Sequence, residues 1–157
     1  MAAARKKAPA KVTRPKTSTR SKSKAPEFDP GVVKAHKAYV DAINSNETAR
    51  VMACYDKEAV VMQPDGPLVE GHAKIRKWVS NYFKTYETHW KKESVLIWVA
   101  GDYGFDQGRD FAVEKPRKGN GPVAKYEVKG ILLYKRQKNG EFKVYRDIWN
   151  FNTPNRP

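Results

Sequence analysis

Asp56–Val79, DKEAVVMQPDGPLVEGHAKIRKWV, decides the fold of this chain. Ala59, Val60, Val61 and Met62 form an apolar run of strand length, and its β-branched pair favours a strand over residues 58–63. Pro64-Asp65-Gly66-Pro67 interrupts it. Neither proline can continue a ladder, and Asp-Gly is a strong turn dipeptide. Leu68 to Glu70 reads as a second short strand that ends at Gly71. From His72 the apolar residues fall at Ile75, Trp78, Val79, Tyr82 and Phe83, which is one stripe of a helix. Strand, turn, strand and helix within two dozen residues make a tight corner. That corner places Gln63 and Asp65 at the mouth of whatever the sheet encloses.

Upstream, Asp29-Pro30 predicts a helix start, with Asp as N-cap and Pro in the first turn. Val32, Val33, His36, Tyr39, Val40 and Ile43 continue at helical spacing to Asn44–Asn46. A second helix is expected over about residues 47–55. Downstream of Thr88 the period changes to two. Tyr103, Phe105, Gln107, Arg109, Phe111 and Val113 share one strand face. Tyr126, Val128, Gly130, Leu132 and Tyr134 share another. Lys138-Asn139-Gly140 is a hairpin turn. The last strand places Phe142, Val144 and Ile148 on one side and Tyr145, Asp147, Trp149 and Phe151 on the other. Helices followed by a meander of long strands predict an α+β domain. With apolar groups on both faces, one face packs the helices. The face of Phe142, Val144 and Ile148 needs a second sheet, which predicts a homodimer.

Charge is uneven. Residues 1–26 hold nine of the 31 Lys/Arg and none of the 17 Asp/Glu. Their Ala, Lys, Pro, Ser and Thr composition predicts a disordered basic tail ahead of one domain at 27–157. The tail reads as an arm for nucleic acid or another polyanion, as a targeting segment, or as a solvated extension. Cys54 is the single cysteine, which excludes an intrachain disulfide and fits a reducing, cytoplasmic setting. No run approaches the roughly 20 apolar residues of a membrane span. His36, His72 and His89 stand at no metal-ligand spacing and read as surface or helix-end residues, so no metal is expected. No Gly-rich phosphate loop or paired nucleophile is present, and no cofactor is expected.

Ala38–Val79 (AYVDAINSNETARVMACYDKEAVVMQPDGPLVEGHAKIRKWV) and Asn139–Asn152 (NGEFKVYRDIWNFN) together resemble the nuclear-transport-factor-2-like superfamily, in its SnoaL-like and ketosteroid-isomerase-like branch. The resemblance covers residues 29–152. It implies a cone, with three N-terminal helices on a strongly curved antiparallel sheet and a ligand cavity open at one end. It implies no single chemistry, because the fold hosts isomerases, cyclases, dehydratases and binding modules. Of the three groups ketosteroid isomerases use, the resemblance carries over one, the helix tyrosine, onto Tyr39. Gln63 stands where the proton-shuttling Asp belongs, and Gly130 is nearest to the second acid. Gln has no titratable acceptor, which argues against steroid isomerisation by the family mechanism. Asp65 reads as the turn residue of Pro-Asp-Gly.

Asp147 lies between Tyr145 and Trp149 on its strand face. A carboxylate between aromatics is partly desolvated and suits acid/base work. The structural alternative pairs it with Arg109 or Gln107. The expected site is therefore Asp147 and Tyr39 as chemical groups. Gln63, Trp78, Arg109, Tyr126, Tyr145 and Trp149 are its ligand-binding wall. Two functions follow. One is a dimeric small-molecule cavity protein that binds or converts a polar-aromatic or apolar ligand without a cofactor. The other is an interaction module whose paired tails hold a polyanion.

Overall fold

A computed structural model describes residues 28–152. The expected tail at 1–26 lies outside them. The element order is α1 (Pro30–Asn44), α2 (Thr48–Cys54), β1 (Tyr55–Met62), β2 (Val69–Glu70), α3 (His72–Thr85), β3 (Tyr86–Ala100), β4 (Tyr103–Pro116), β5 (Ala124–Arg136) and β6 (Phe142–Phe151). The strands form one sheet in the order β2-β1-β6-β5-β4-β3. Pairings are antiparallel except β1 against β6, which run parallel. The parallel pair follows from the corner. After β1 the chain leaves through β2 and α3, so β1 meets β6 as the last strand of the meander.

Local chemistry sets the helix ends. Asp29 accepts hydrogen bonds from the Gly31 and Val32 amides at 2.9 and 3.1 Å, which caps α1. Two asparagines then tie the end of α1 to β3. Asn44 exchanges two hydrogen bonds with the Trp90 backbone (2.7 and 2.9 Å), and Asn46 exchanges two with Thr88 (2.8 and 2.9 Å). Each side-chain amide imitates one rung of a strand ladder. Gly104 on β4 lies so close to Val32 that a Cβ there would overlap it, which lets α1 approach the sheet. Asp65 sits in the left-handed region (φ 55°) and is exposed, as a turn residue of Pro-Asp-Gly should be.

The core lies between the helices and one face of the sheet. Val32, Ile43, Val51, Met52, Val61, Ile75, Val79, Tyr134, Phe142 and Val144 belong to it. Here the structure corrects the expected face of β6. Leu133 pairs with Arg146 and Tyr134 with Val144, so Tyr145 is an extra residue in a β-bulge. The bulge shifts the alternation by one. Phe142 and Val144 pack under the helices at 6% and 0% exposure, and they carry no dimer surface. Asp147 and Trp149, beyond the bulge, also turn to the helix side, where both line one cavity. The outer sheet face instead carries Leu96, Trp98, Tyr103 and Val113, all exposed, with Trp98 stacked on Phe105 at 5.3 Å.

Candidate active site

Between α1, α3 and the curved sheet lies a cavity of about 580 Å³. This is the size of a small-molecule site. At one end three oxygens meet. The Tyr39 hydroxyl donates to Asp147 Oδ2 at 2.6 Å, the Tyr55 hydroxyl donates to the same oxygen at 2.7 Å, and the two hydroxyls are 2.8 Å apart. Tyr39 comes from the buried stripe of α1, Tyr55 from the first residue of β1, and Asp147 from β6 just past the bulge. All three side chains are buried. Burial, then the charge of Asp147, pushes both phenols well above their ordinary pKa, so they remain donors at neutral pH.

Lys92 and Asp110 form a buried ion pair beside this cluster, with side-chain exposures of 10% and 8%. The Lys92 ammonium also lies 5.0 Å from the Trp90 ring centre and 5.9 Å from that of Tyr39. Burial pushes the Asp110 carboxyl up, and Lys92 opposes the shift. On the sheet side Glu114 accepts the hydroxyl of Tyr82, and the same carboxylate lies near enough to the Tyr126 phenol to push its pKa up. The Tyr82 hydroxyl meets Thr88 Oγ1 at 3.0 Å and accepts from Trp90 Nε1 at 3.3 Å. Burial first and Glu114 second raise both phenols. Trp78 Nε1 donates to Gln63 Oε1 at 3.1 Å.

The cavity thus brings together Tyr39, Gln63, Trp78, Tyr126, Asp147 and Trp149 from the expected set. Two members lie elsewhere. Tyr145 is carried to the outer face by the bulge, where it packs on Tyr103 at 6.0 Å and under the Arg146 guanidinium at 3.6 Å. Arg109 also faces outward. It stacks over Phe111 at 5.5 Å, reaches Glu93 at 3.6 Å, and is no partner of Asp147. The alternation of β4 is as expected, but its apolar face points away from the helices. The inward face carries Gly104, Asp106, Asp110, Ala112 and Glu114, residues that serve the close helix and the polar cavity. His36, expected at the surface, instead meets the buried Asp106 at 2.7 Å.

Sequence reading missed Tyr55, Trp90, Lys92 and Glu114 as cavity groups, whereas Tyr82 and Phe83, read with Trp78 as core or pocket wall, do line it. The available signal was the spacing of Asp106, Asp110 and Glu114. Three acids four residues apart share a strand face, and that many carboxylates are rare on a face left to solvent beside an apolar one. Among the described residues no cluster of His, Cys, Asp and Glu could hold a metal ion.

Solved structures share this architecture. A ketosteroid isomerase-like protein from Erwinia carotovora atroseptica superposes with a TM-score of 0.71 at 20% identity, over 78% of this chain and 95% of its own. A conserved protein from Planctomyces limnophilus gives 0.69 at 12% identity, over 77% and 94%. A hexachlorocyclohexane dehydrochlorinase (LinA, type 2) gives 0.68 at 13%, over 78% and 84%. At these identities the likeness is one of fold. A search of curated proteins finds no match. The SnoaL-like domain, by contrast, matches residues 36–143, from the middle of α1 into β6. That stretch contains the corner, most of the sheet and the greater part of the cavity wall, and on it the chain belongs to the SnoaL-like domain family, built on the nuclear-transport-factor-2-like cone.

Proposed function

We propose that the domain is a dimeric cavity protein that binds or converts a small polar-aromatic ligand by cofactor-free acid/base chemistry. One observation carries this reading. Asp147 is a buried carboxylate oriented by two phenol donors at the end of an aromatic cavity. Such preorganisation is what a general base or an orienting acceptor requires. Oδ2 takes both phenols, and the carboxylate has its second oxygen for a donor on the ligand. Tyr39 and Tyr55 hold the carboxylate in place and stabilise its charge. A hexachlorocyclohexane dehydrochlorinase has the same fold, and loss of HCl requires removal of a proton, so chemistry of this kind is compatible with the fold. Gln63 offers no proton acceptor that titrates, so steroid isomerisation by the family mechanism has no base at that position.

The outer sheet face supports the dimer, because Leu96, Trp98 and Tyr103 are exposed together. The basic segment 1–26, with nine Lys/Arg, supports a second reading in which the domain pairs two arms against a polyanion in a cytoplasmic setting. Deleting 1–26 should abolish salt-sensitive binding to DNA and leave the cavity unaffected.

The probe for the cavity is 2-naphthol, a planar aromatic with one hydroxyl donor. It should quench tryptophan fluorescence saturably, because Trp78, Trp90 and Trp149 line the cavity. Asp147→Asn should weaken binding by about tenfold, the range for losing a hydrogen bond to a charged group. Quenching that fails to saturate, or is unchanged in Asp147→Asn, would remove the reading.

A further inference from the structure

We propose that the ligand is an organic cation, an aromatic or alkyl ammonium, whose charge lies among Trp78, Tyr82, Trp90, Tyr126 and Trp149 with Glu114 as counter-charge. This deepens the cavity reading above and rests on it. Three independent features of the cavity point the same way.

The first is charge. The lining includes Asp147, Glu114 and Lys92, and Lys92 is already paired with Asp110. Among the described residues neither Asp147 nor Glu114 has an ion-pair partner within 4 Å. Two carboxylates outside any ion pair, against one ammonium that is already paired, leave the lining net negative and favour a cation.

The second is hydrogen-bond polarity. The phenols of Tyr39 and Tyr55 donate to Asp147, and that of Tyr82 donates to Glu114, which also faces the Tyr126 phenol. The Trp78 N–H is taken by Gln63 and the Trp90 N–H by Tyr82. These donors are spent on the protein's own oxygens, so an anion or a bare carbonyl would meet few partners. The carboxylates of Asp147 and Glu114 add acceptor capacity, which suits an N–H⁺ donor, and their charge suits an N-alkylated cation.

The third is the arrangement of rings. Trp78 stacks on Tyr82 at 6.1 Å with planes 6° apart, and Trp149 closes on Trp78 at 6.0 Å. Trp90 meets Tyr126 edge-on at 6.3 Å. All five rings line the cavity, and aromatic walls of this kind attract ammonium groups through the negative quadrupoles of their faces. Lys92 lies against Trp90 in this way within the same cavity. The basic surface of the chain does not oppose entry, since exposed charges are screened beyond about 8 Å at physiological salt.

The test uses a pair of probes of one shape. Phenyltrimethylammonium carries the charge, and tert-butylbenzene is its neutral counterpart. Both are titrated against the full chain by tryptophan fluorescence, and the ratio of their dissociation constants is the readout. The cation should bind about tenfold more tightly or better. Glu114→Gln should remove most of that ratio while tert-butylbenzene affinity stays within about twofold. The wild-type ratio stands without the variant if Glu114→Gln does not fold. If tert-butylbenzene binds as tightly as the cation, the ammonium proposal is overturned and the cavity reading stands. If neither probe binds, both fall. A ratio unchanged in folded Glu114→Gln also overturns the proposal, because the counter-charge would then lie elsewhere.

Discussion

Tyr39 and Tyr55 bring two phenolic protons to three mutually close oxygens, the third belonging to Asp147. Removing one phenol leaves Asp147 with one donor, and removing both leaves a buried carboxylate with neither. Tyr39→Phe should therefore cost about 1–2 kcal/mol in urea unfolding. Tyr39→Phe with Tyr55→Phe should cost clearly more than the two single changes added together. Strict additivity would mean that the cluster does not act as a unit. Asp56 sets an acid limit by a different route. Burial raises its pKa, but the Glu58 amide and the Gln137 side chain, each at 2.8 Å, together with Lys135 and Lys143 outweigh burial and leave it lowered. A carboxyl lowered on folding binds fewer protons in the native state. Its stabilisation is thus present above the unfolded value of about 3.9 and is lost as pH falls through the lower native value. Asp110 is raised, so its contribution has the opposite sign and improves with acid. Asp56→Asn should lower the melting temperature at neutral pH and flatten the loss of stability below about pH 4. An acid limb identical to wild type would exclude Asp56 as its source.

At the scale of elements, β6 shows how one residue redirects a strand. Strict alternation from Phe142 places Val144 and Asp147 on opposite faces, yet both lie on the helix side because Tyr145 is inserted at the bulge. Val144→Lys would therefore bury an ammonium in the core, where Val144 is fully covered. The expected result in circular dichroism is an unfolded chain, or a loss of several kcal/mol; a folded monomer would contradict the core position. The corner of 56–79 and the capped start of α1 were legible in the sequence because apolar period and turn chemistry agree there. The bulge was not, since Tyr145-Arg146 carries no glycine or proline to mark it. The inward face of β4 was hidden for another reason. A cavity needs polar walls, so the face with Asp106, Asp110 and Glu114 resembles a solvated one, and the apolar face with Phe105 and Phe111 resembles a core. Arg109 and Tyr145 were placed in the cavity by that inversion and by the unseen bulge. Asp147 was placed with the cavity aromatics for a sound reason, its two-residue spacing from Trp149.

At the scale of the whole molecule, a sheet wrapped over three helices leaves one cavity inside and one apolar face outside. The exposed Trp98, stacked on Phe105, stands on that outer face with Leu96 and Tyr103 nearby in the sheet. Trp98→Lys should give a folded monomer in sedimentation at micromolar concentration while wild type sediments as a dimer. A wild-type monomer would mean that this face has no second sheet. On the proposed function, the cone encloses a usable cavity whose chemical end is Asp147 with Tyr39 and Tyr55. A crystal structure of the full chain with 2-naphthol tests it most directly. The naphthol ring is expected among Trp78, Trp90 and Trp149, with its hydroxyl within hydrogen-bonding distance of Asp147. A cavity closed by its own tryptophans, or naphthol bound only on the outer sheet, would contradict it.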